Sequence, residues 1–538
     1  MTQPTHFTTG NTPDAPRSDH PDLLQALAAD LREVGYTLEG VAELLGESAN
    51  AALDRDQLIP ALIVTEAAAA GEPRTAALAA VVRFWLLAVP QEAEVLDAAL
   101  PRTRAADLAA LGLAKVTGTT VTAEADLRPY GWDSGDGGVE IWVASDLAAH
   151  QRPGVLRHDH VLGIGQASTT LVQSTVRRPA GRALDLGTGC GIQTFHLLHH
   201  AEHVTATDIS ARALAFTRFN LLLNADALAI DPDRLEERVS LRLGSLLEPV
   251  AGEAFDLVVS NPPFVITPRT AGEGPADQFT YRDGGLPGDD IVASLIRSLP
   301  DVLAPGGTAQ LLGNWEIREG SAWDERPQSW AGPDTDAWFI QREQVGPEQY
   351  AETWLQDSSE TRDRRHYQDA YAAYLADFAS RNVEGIGFGM VFLRRPAGER
   401  RIHRFEEITY PIEQPVGPHL GAAVERADWL ADHDVSAAHL LVAEDVTEER
   451  HQRPGAEHPG VILLRQGAGL RRTNLLSTEL AGFVSACDGE LTAGQIIGAL
   501  EALLGGTEEF DGDAFRRGLL TEVSNLVRDG FLLPADPA

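Results

Sequence analysis

The stretch Ala183-Leu184-Asp185-Leu186-Gly187-Thr188-Gly189-Cys190-Gly191 constrains this chain more than any other. A short apolar run ending in three glycines at spacing two reads as a buried strand that turns tightly into a helix, here Gln193 to His199. Glycine lets the backbone turn sharply and approach a ligand with no Cβ in the way. The next apolar run, His203 to Asp208, ends in an acid 23 residues after Asp185. Further runs follow at Val239 to Leu243, Phe255 to Ser260 and Gly307 to Leu312, with helical periodicity between them, as in Ala211 to Leu223. Strands alternating with helices predict a doubly wound α/β sheet, whose ligands gather at the carboxyl ends of the strands. Trp338 to Ile340 and Gly387 to Leu393 read as two later strands, with a helical stretch from Pro347 to Arg381 between them.

Two chemistries compete for the glycine turn. A dinucleotide site needs glycines spaced G-x-G-x-x-G, and here the spacing is G-x-G-x-G. Asp185 sits before the first glycine, where it can orient the turn and attract an ammonium group; a pyrophosphate would be repelled. Asp208 at the end of the second strand can accept both hydroxyls of a ribose.

Asn261-Pro262-Pro263-Phe264 ends the fourth strand. Two prolines stiffen that turn and remove two N–H groups. The expectation is that the Pro262 carbonyl is free to accept one hydrogen bond, that the Asn261 side-chain oxygen accepts another, and that Phe264 offers a flat apolar face. Such a set suits a planar NH2 group held by two acceptors and stacked on a ring. Bonding both N–H groups keeps the nitrogen lone pair from delocalising, and orientation supplies much of the remaining help.

The glycine turn resembles motif I of the class I S-adenosylmethionine methyltransferases. The tetrapeptide is similar to the (N/D/S)-P-P-(Y/F) motif of N-methyltransferases acting on release-factor glutamine or on amino groups of RNA and DNA bases. The resemblance covers roughly residues 155–315. It implies a Rossmann-like seven-stranded core, S-adenosylmethionine as cofactor, Asn261, Pro262, Pro263 and Phe264 as catalytic residues, and Asp185, Gly187, Thr188, Gly189, Gly191 and Asp208 around the cofactor. Ser245, after the third strand, stands where relatives often place an acid for the adenine amino group; a hydroxyl is a poorer acceptor. Gly163 to Thr170 occupies the region that caps the methionine end of the cofactor in that family, and Tyr281-Arg282-Asp283-Gly284-Gly285-Leu286-Pro287-Gly288 looks like the D-G-G-x-x-G stretch of its glutamine-modifying branch.

Around that core, residues 1–22 read as a short disordered lead and not a signal peptide. Residues 23–150 carry Ala- and Leu-rich helices and two β runs about Gly118, a helical or winged-helix-like accessory domain. The methyltransferase domain spans 151–396, residues 397–476 read as a linker or extension, and 477–538 as a second winged-helix-like domain with helices from Ser477, Leu491 and Asp513 and a closing strand at Phe531. Two cysteines exclude a disulfide framework and fit a reducing cytoplasm. The net charge of −36 argues against a basic nucleic-acid module by bulk charge, so any RNA contact must be local. No apolar run is long enough to span a membrane.

Arg362, Arg364, Arg365 and His366, and then Arg394, Arg395, Arg400, Arg401 and Arg404, are such local clusters, although a solvated face is the commoner meaning of a charge run. His196, His199, His200 and His203 read as a surface group and not a metal site. The expected activity is methyl transfer to a planar nitrogen of a macromolecule, leaning to protein glutamine. An RNA base is the alternative, and a non-catalytic S-adenosylmethionine sensor is the reading furthest from it.

Overall fold

The computed structural model describes residues 7–133, 137–152, 156–269, 282–357, 364–505 and 510–535. The chain divides into two compact units. The first comprises Met1–Val172, Pro179–Thr335 and Glu343–Ala397, and the second Gln173–Arg178, Asp336–Arg342 and Gly398–Ala538.

The first unit begins with helices α1 (Pro21–Val34), α2 (Leu38–Leu53), α3 (Ile59–Ala69) and α4 (Pro73–Trp85). Pro at the first turns of α1, α3 and α4 starts them where a missing N–H costs nothing. Strand β1 (Gln91–Glu92), helices α5 (Ala93–Ala99) and α6 (Arg104–Ala110), and strands β2 (Ala114–Thr117) and β3 (Thr120–Ala123) follow. β1 and β2 flank β3, both antiparallel to it, and Gly118 makes the β2–β3 turn at φ 65°.

A second hairpin joins β4 (Asp126–Asp133) to β5 (Gly138–Ser145). On β5, two buried asparagines of helix α9 (Ala211–Leu223) and its C-cap take over the backbone pairing a neighbouring strand would supply. Asn224 bonds both the N–H and the carbonyl of Trp142, at 2.9 and 2.7 Å. Asn220 does the same for Ala144, at 2.8 and 2.9 Å. At i and i+4 the two amides stand on one helix face, and buried backbone groups demand such partners.

The lead expected to be disordered is held from Phe7 onwards. The Phe7 N–H donates to the Leu241 carbonyl and the Arg17 N–H to the Leu111 carbonyl, at 2.9 and 2.8 Å, and Ala15 and Ser18 are buried. A polar, Pro-rich composition concealed these pairings because they use main-chain atoms.

Beyond α7 (Gln166–Ser174) the α/β core has β6 (Ala180–Leu186), α8 (Ile192–Leu197), β7 (Ala201–Asp208), α9, β8 (Val239–Leu243), β9 (Phe255–Ser260), α10 (Asp290–Ser298), β10 (Leu303–Arg318), α11 (Glu325–Trp330), β11 (Asp336–Val345), α12 (Pro347–Asp357), α13 (Arg364–Ser380) and β12 (Val383–Arg394). Within the first unit the strand order is β8-β7-β6-β9-β10-β12; β12 is antiparallel to β10 and the other neighbouring pairs are parallel. Six strands of the expected seven-stranded core thus lie in this unit. The near-continuous apolar runs of β6, β7 and β9 are buried on both faces, as parallel strands covered by helices must be.

In the second unit, Ala337–Gln341 of β11 runs parallel to β13 (His403–Glu407). Residues 397–476, read from the sequence as a linker or extension, carry regular structure. They form β13, α14 (Gly417–Asp432), β14 (His439–Val442), β15 (Val446–His451), β16 (Val461–Gln466) and β17 (Thr473–Leu476). Helices α15 (Thr478–Ser485), α16 (Ala493–Leu504) and α17 (Gly512–Asp529) and strands β18 (Asp488–Thr492) and β19 (Leu532–Pro534) complete the unit. Ile462, Leu464 and Leu476 of the supposed linker share one core with Phe483, Ile496 and Val523, which is why short exposed-looking strands fold there. β14 is the central strand between β18 and β19. Caps fix the helix starts: the Ser477 hydroxyl accepts from Leu480 N, and Thr492 with Gln495 forms a capping box.

Candidate active site

The glycine turn leaves the end of β6 as expected. Gly187, Gly189 and Gly191 have φ values of 78°, 58° and 98°, a region that side chains with a Cβ rarely enter. A Cβ at Gly187 or Gly189 would meet no protein atom within 4 Å, so both glycines border open space. At Gly191 it would strike the Phe195 ring at 2.8 Å, so this third glycine serves helix packing.

The loop is fixed from beneath. The Gly187 and Thr188 N–H groups donate to the Thr207 carbonyl, both at 2.9 Å. Asp185 is buried, and its Oδ2 accepts from the Thr188 hydroxyl (2.8 Å) and from the N–H and hydroxyl of Thr194 (3.0 and 2.7 Å). Its Oδ1 is buried with no hydrogen-bond partner among the described residues. Burial pushes the Asp185 pKa up to about 6, opposed by the Thr194 and Thr188 bonds. From α9, Thr217 donates to the Gly189 carbonyl and Asn220 to the Cys190 carbonyl, both at 2.9 Å.

Asp208 ends β7 beside the same loop. Its Oδ2 accepts from Gly189 N at 3.0 Å and its Oδ1 from Ser210 N at 2.8 Å. Burial pushes its pKa up, against those backbone bonds. The Asp208 carbonyl accepts from Gly244 N at 3.0 Å, which brings Ser245 to the end of the neighbouring strand. The structure therefore gathers Asp185, Gly187, Thr188, Gly189, Asp208 and Ser245 at the carboxyl ends of β6, β7 and β8.

Asn261-Pro262-Pro263-Phe264 leaves the end of β9, next to β6 in the sheet. The Ser260 hydroxyl donates to the Leu186 carbonyl at 2.8 Å and so ties this turn to the start of the glycine loop. Asn261 Oδ1 is buried and unpartnered among the described residues. The Pro262 carbonyl is not free, because the turn closes on itself: Phe264 N–H donates to it at 2.8 Å. One of its two lone pairs remains. The rings of Phe264 and of Trp354 in α12 meet in an edge-to-face arrangement, centroids 6.5 Å apart.

Residues without a motif hold the turn in place. The Tyr350 hydroxyl accepts from Ile266 N (2.8 Å) and from the Asn314 amide (3.0 Å), and Tyr350 is wholly buried among Val265, Ile266 and Phe378. Asp283 accepts from Thr267, from Arg269 (2.9 Å) and from Gly285 N (2.9 Å), and Val265 N donates to the Arg282 carbonyl. The Asp-Gly-Gly stretch is thus bonded to the chain itself; Tyr281 lies outside the described residues. Gly163 to Thr170 includes the start of α7, where the Ser168 carbonyl accepts from Gln193 at 2.9 Å.

The histidine group divides. His196 is buried, not on the surface: its Nε2 lies 2.9 Å from the Tyr130 hydroxyl and its ring 4.2 Å from that of Trp132. Among the described residues no group of three or more His, Cys, Asp or Glu side chains is placed to hold a metal ion.

Comparison with known proteins adds a name for part of the chain. Residues 146–273 match the methyltransferase small domain. Residues 33–124 match a family described as a domain of unknown function (DUF7059). Relatives of this methyltransferase domain include a ribosomal protein uL3 glutamine methyltransferase of Bradyrhizobium diazoefficiens, 31% identical over 33% of this chain and 54% of that protein. A release factor glutamine methyltransferase of Geobacter sulfurreducens is 32% identical over 29% of this chain and 51% of that protein. A ribosomal RNA small subunit methyltransferase C of Alcanivorax borkumensis is 28% identical over 33% and 46%. The chain spans about half the length of the curated relatives it matches. A methyltransferase from Pyrococcus furiosus is a similar solved structure, with 15% identity, TM-score 0.25 and coverage of 45% of this chain and 90% of that one.

Proposed function

We propose that the chain transfers a methyl group from S-adenosylmethionine to a planar amide or amino nitrogen of a macromolecule, with a protein glutamine favoured. The orphaned Asn261 Oδ1 carries the reading: a buried acceptor with no partner is costly unless a ligand donor completes it.

The residues fit the cofactor. Gly187 and Gly189 border open space, Asp208 presents a carboxylate at the strand end, and Asp185 Oδ1 stands buried without a partner. Asp185, Gly187, Thr188, Gly189, Asp208 and Ser245 would hold it, while Gly191 serves α8. When bound, S-adenosylmethionine supplies a methyl carbon activated by its sulfonium.

The chain's own work is at the nitrogen. Asn261 Oδ1 accepts one N–H of the target, and the second lone pair of the Pro262 carbonyl accepts the other. Phe264 supports the plane of the group, and Pro263 keeps the turn stiff. Two acceptors on one NH2 localise its lone pair and aim it, so orientation replaces a strong base. The glutamine preference rests on the uL3 and release-factor relatives. The rRNA relative keeps a nucleobase as the second reading. Winged-helix-like modules at 23–150 and 477–538 would present the macromolecule, in a cytoplasmic setting.

Tritium-labelled S-adenosylmethionine offered with release factors, ribosomal proteins and ribosomal RNA tests this. Label removed by protease and not by nuclease supports glutamine. Label removed by nuclease moves the reading to a base, and no incorporation into any of them overturns it.

A further inference from the structure

The second unit holds a charged groove that the methyl-transfer reading does not use. Its volume is about 1040 Å³, and Arg400, Arg401, Arg404 and Arg528 line it together with the carboxylates of Glu399, Asp432 and Asp529. A smaller hollow of about 60 Å³ shares Trp338, Arg404, Arg528 and Asp529 with it and adds Arg426 and Arg472.

The arginines fall into two groups. Arg401 is paired with Asp432 at 2.9 Å, Arg404 with Asp529 at 2.7 Å, and Arg472 with Glu406 at 2.6 Å. These pairs build the walls. Arg400, Arg426 and Arg528 have no carboxylate within ion-pair distance among the described residues. Arg528 donates only to the Asn525 amide, at 2.5 Å.

Arg426 is the telling member. It projects from α14 beside Gly530, where a Cβ would lie 2.8 Å from its Nη2; Gly530, at φ 84°, leaves it room. It donates no hydrogen bond among the described residues, and its Nε is buried without a partner. Burial pushes its pKa down to about 10; Asp529 and Glu425 oppose the shift, and Arg472 and Arg404 add to it. Asp529, the carboxylate that partly offsets this charge, is itself paired with Arg404, so Arg426 keeps donor capacity for a further anion.

We propose that this groove is a site for the phosphate backbone of RNA. Arg400 and Arg528, which have no carboxylate partner among the described residues, line the groove with the amides of Asn474 and Asn525, and Arg426 lines the hollow that shares its wall; these are donors suited to successive phosphates. A protein partner would need aromatic or aliphatic anchors, and the apolar part of the wall is mainly Ala423, Ala427, Ala431 and Leu430. Trp338 is buried, with the Arg404 guanidinium over it at 5.3 Å, so its indole is closed to a base; the exposed His403 imidazole is the ring these walls present. Cationic and amide donors outnumber that one ring, so the groove grips chiefly the backbone, with little sequence preference. In a chain of net charge −36 it gives RNA a local foothold that bulk charge denies.

The test is fluorescence anisotropy on the full chain with a labelled oligouridine of roughly 12 nucleotides. Arg400→Glu with Arg528→Glu changes two exposed side chains, and an unshifted melting curve certifies the fold. Binding should weaken at least about tenfold, and the slope of log affinity against log salt should fall by about 1.4, roughly 0.7 for each single-strand phosphate that is no longer neutralised. Glu399→Gln should tighten binding, and an oligocytidine should bind as well as oligouridine. Unchanged binding by the double variant overturns the proposal, as does a polyglutamate that displaces the RNA at equal charge.

Discussion

Two neighbouring strand ends of the first unit are built in opposite ways. The glycine loop after β6 is closed largely by its own short-range bonds: Asp185 to Thr188 and Thr194, and Gly187 and Thr188 to Thr207 on the next strand. The Asn-Pro-Pro-Phe turn after β9 is held from a distance, by Tyr350 and Asn314 on later elements and by Asp283, which accepts from Arg269. The first keeps one buried oxygen unmatched, Asp185 Oδ1, on a side chain otherwise held by three bonds. The second keeps Asn261 Oδ1 unmatched. The difference lies in what surrounds the unmatched oxygen: Asp185 is fixed by its own loop, whereas the Asn261 turn depends on elements far along the chain.

The largest effect is expected where the unmatched acceptor is removed. Asn261→Ala should lower turnover by about a hundredfold or more, the scale seen when one preorganised polar group is lost from a reacting site. Cofactor affinity should hold, because the cradle is separate. Turnover kept within a few-fold would show that the turn is only structural. In the cradle the complementary result is expected. Asp208→Ala should weaken cofactor binding by about tenfold or more, measured by calorimetry, through loss of a charged acceptor and of the Gly189 N–H bond. If both variants lost the same property, the contrast between the two strand ends would collapse.

Sequence made one of these regions far more legible than the other. Glycines at spacing two, a strand before them and an acid on the next strand are local signals, and the loop's bonds reach no further than the next strand and the helix after it, to Thr207, Asp208, Thr217 and Asn220. β8, β9 and α9 begin and end where their apolar periodicity does, at Val239–Leu243, Phe255–Ser260 and Ala211–Leu223. What stayed hidden acts over long separations. Tyr350 lies 84 residues from Ile266, in an amphipathic helix that carries no motif. Asn220 and Asn224 look like ordinary polar positions of α9, yet they complete the backbone of β5 some 80 residues upstream. Residues 397–476 look like a linker because their strands are short and charged outside, and only the shared core with α15 to α17 explains their folding.

Acidity offers a subtler probe of the cradle. Asp185 has a folded pKa of about 6 against its ordinary 3.8, raised by burial. A raised folded value means that the native state holds the proton more tightly. The stability this group confers is present below about pH 4 and is lost as pH rises through about 6. A cationic donor prefers the carboxylate, so donor affinity should climb with pH to about 6 and then level off. Asp185→Asn should flatten that rise. A flat profile in the unaltered protein would show that Oδ1 does not meet the donor's charge.

The smallest effect should come from the support of the turn. Tyr350→Phe removes one hydroxyl that accepts from Ile266 N and Asn314, and leaves the ring packed among its aromatic neighbours. A buried hydrogen bond is worth about 1 kcal/mol, and more where its partner is left unsatisfied. If part of that free energy holds Asn261 in its productive position, turnover should fall about fivefold while cofactor affinity stays unchanged. The melting temperature should drop by only a few degrees. Tyr350→Ala is not an equivalent test, since it opens a cavity in the core behind the turn. A loss of stability with full turnover would mean that the turn keeps its shape through its two prolines alone, and that the distant bonds serve folding and not the reaction.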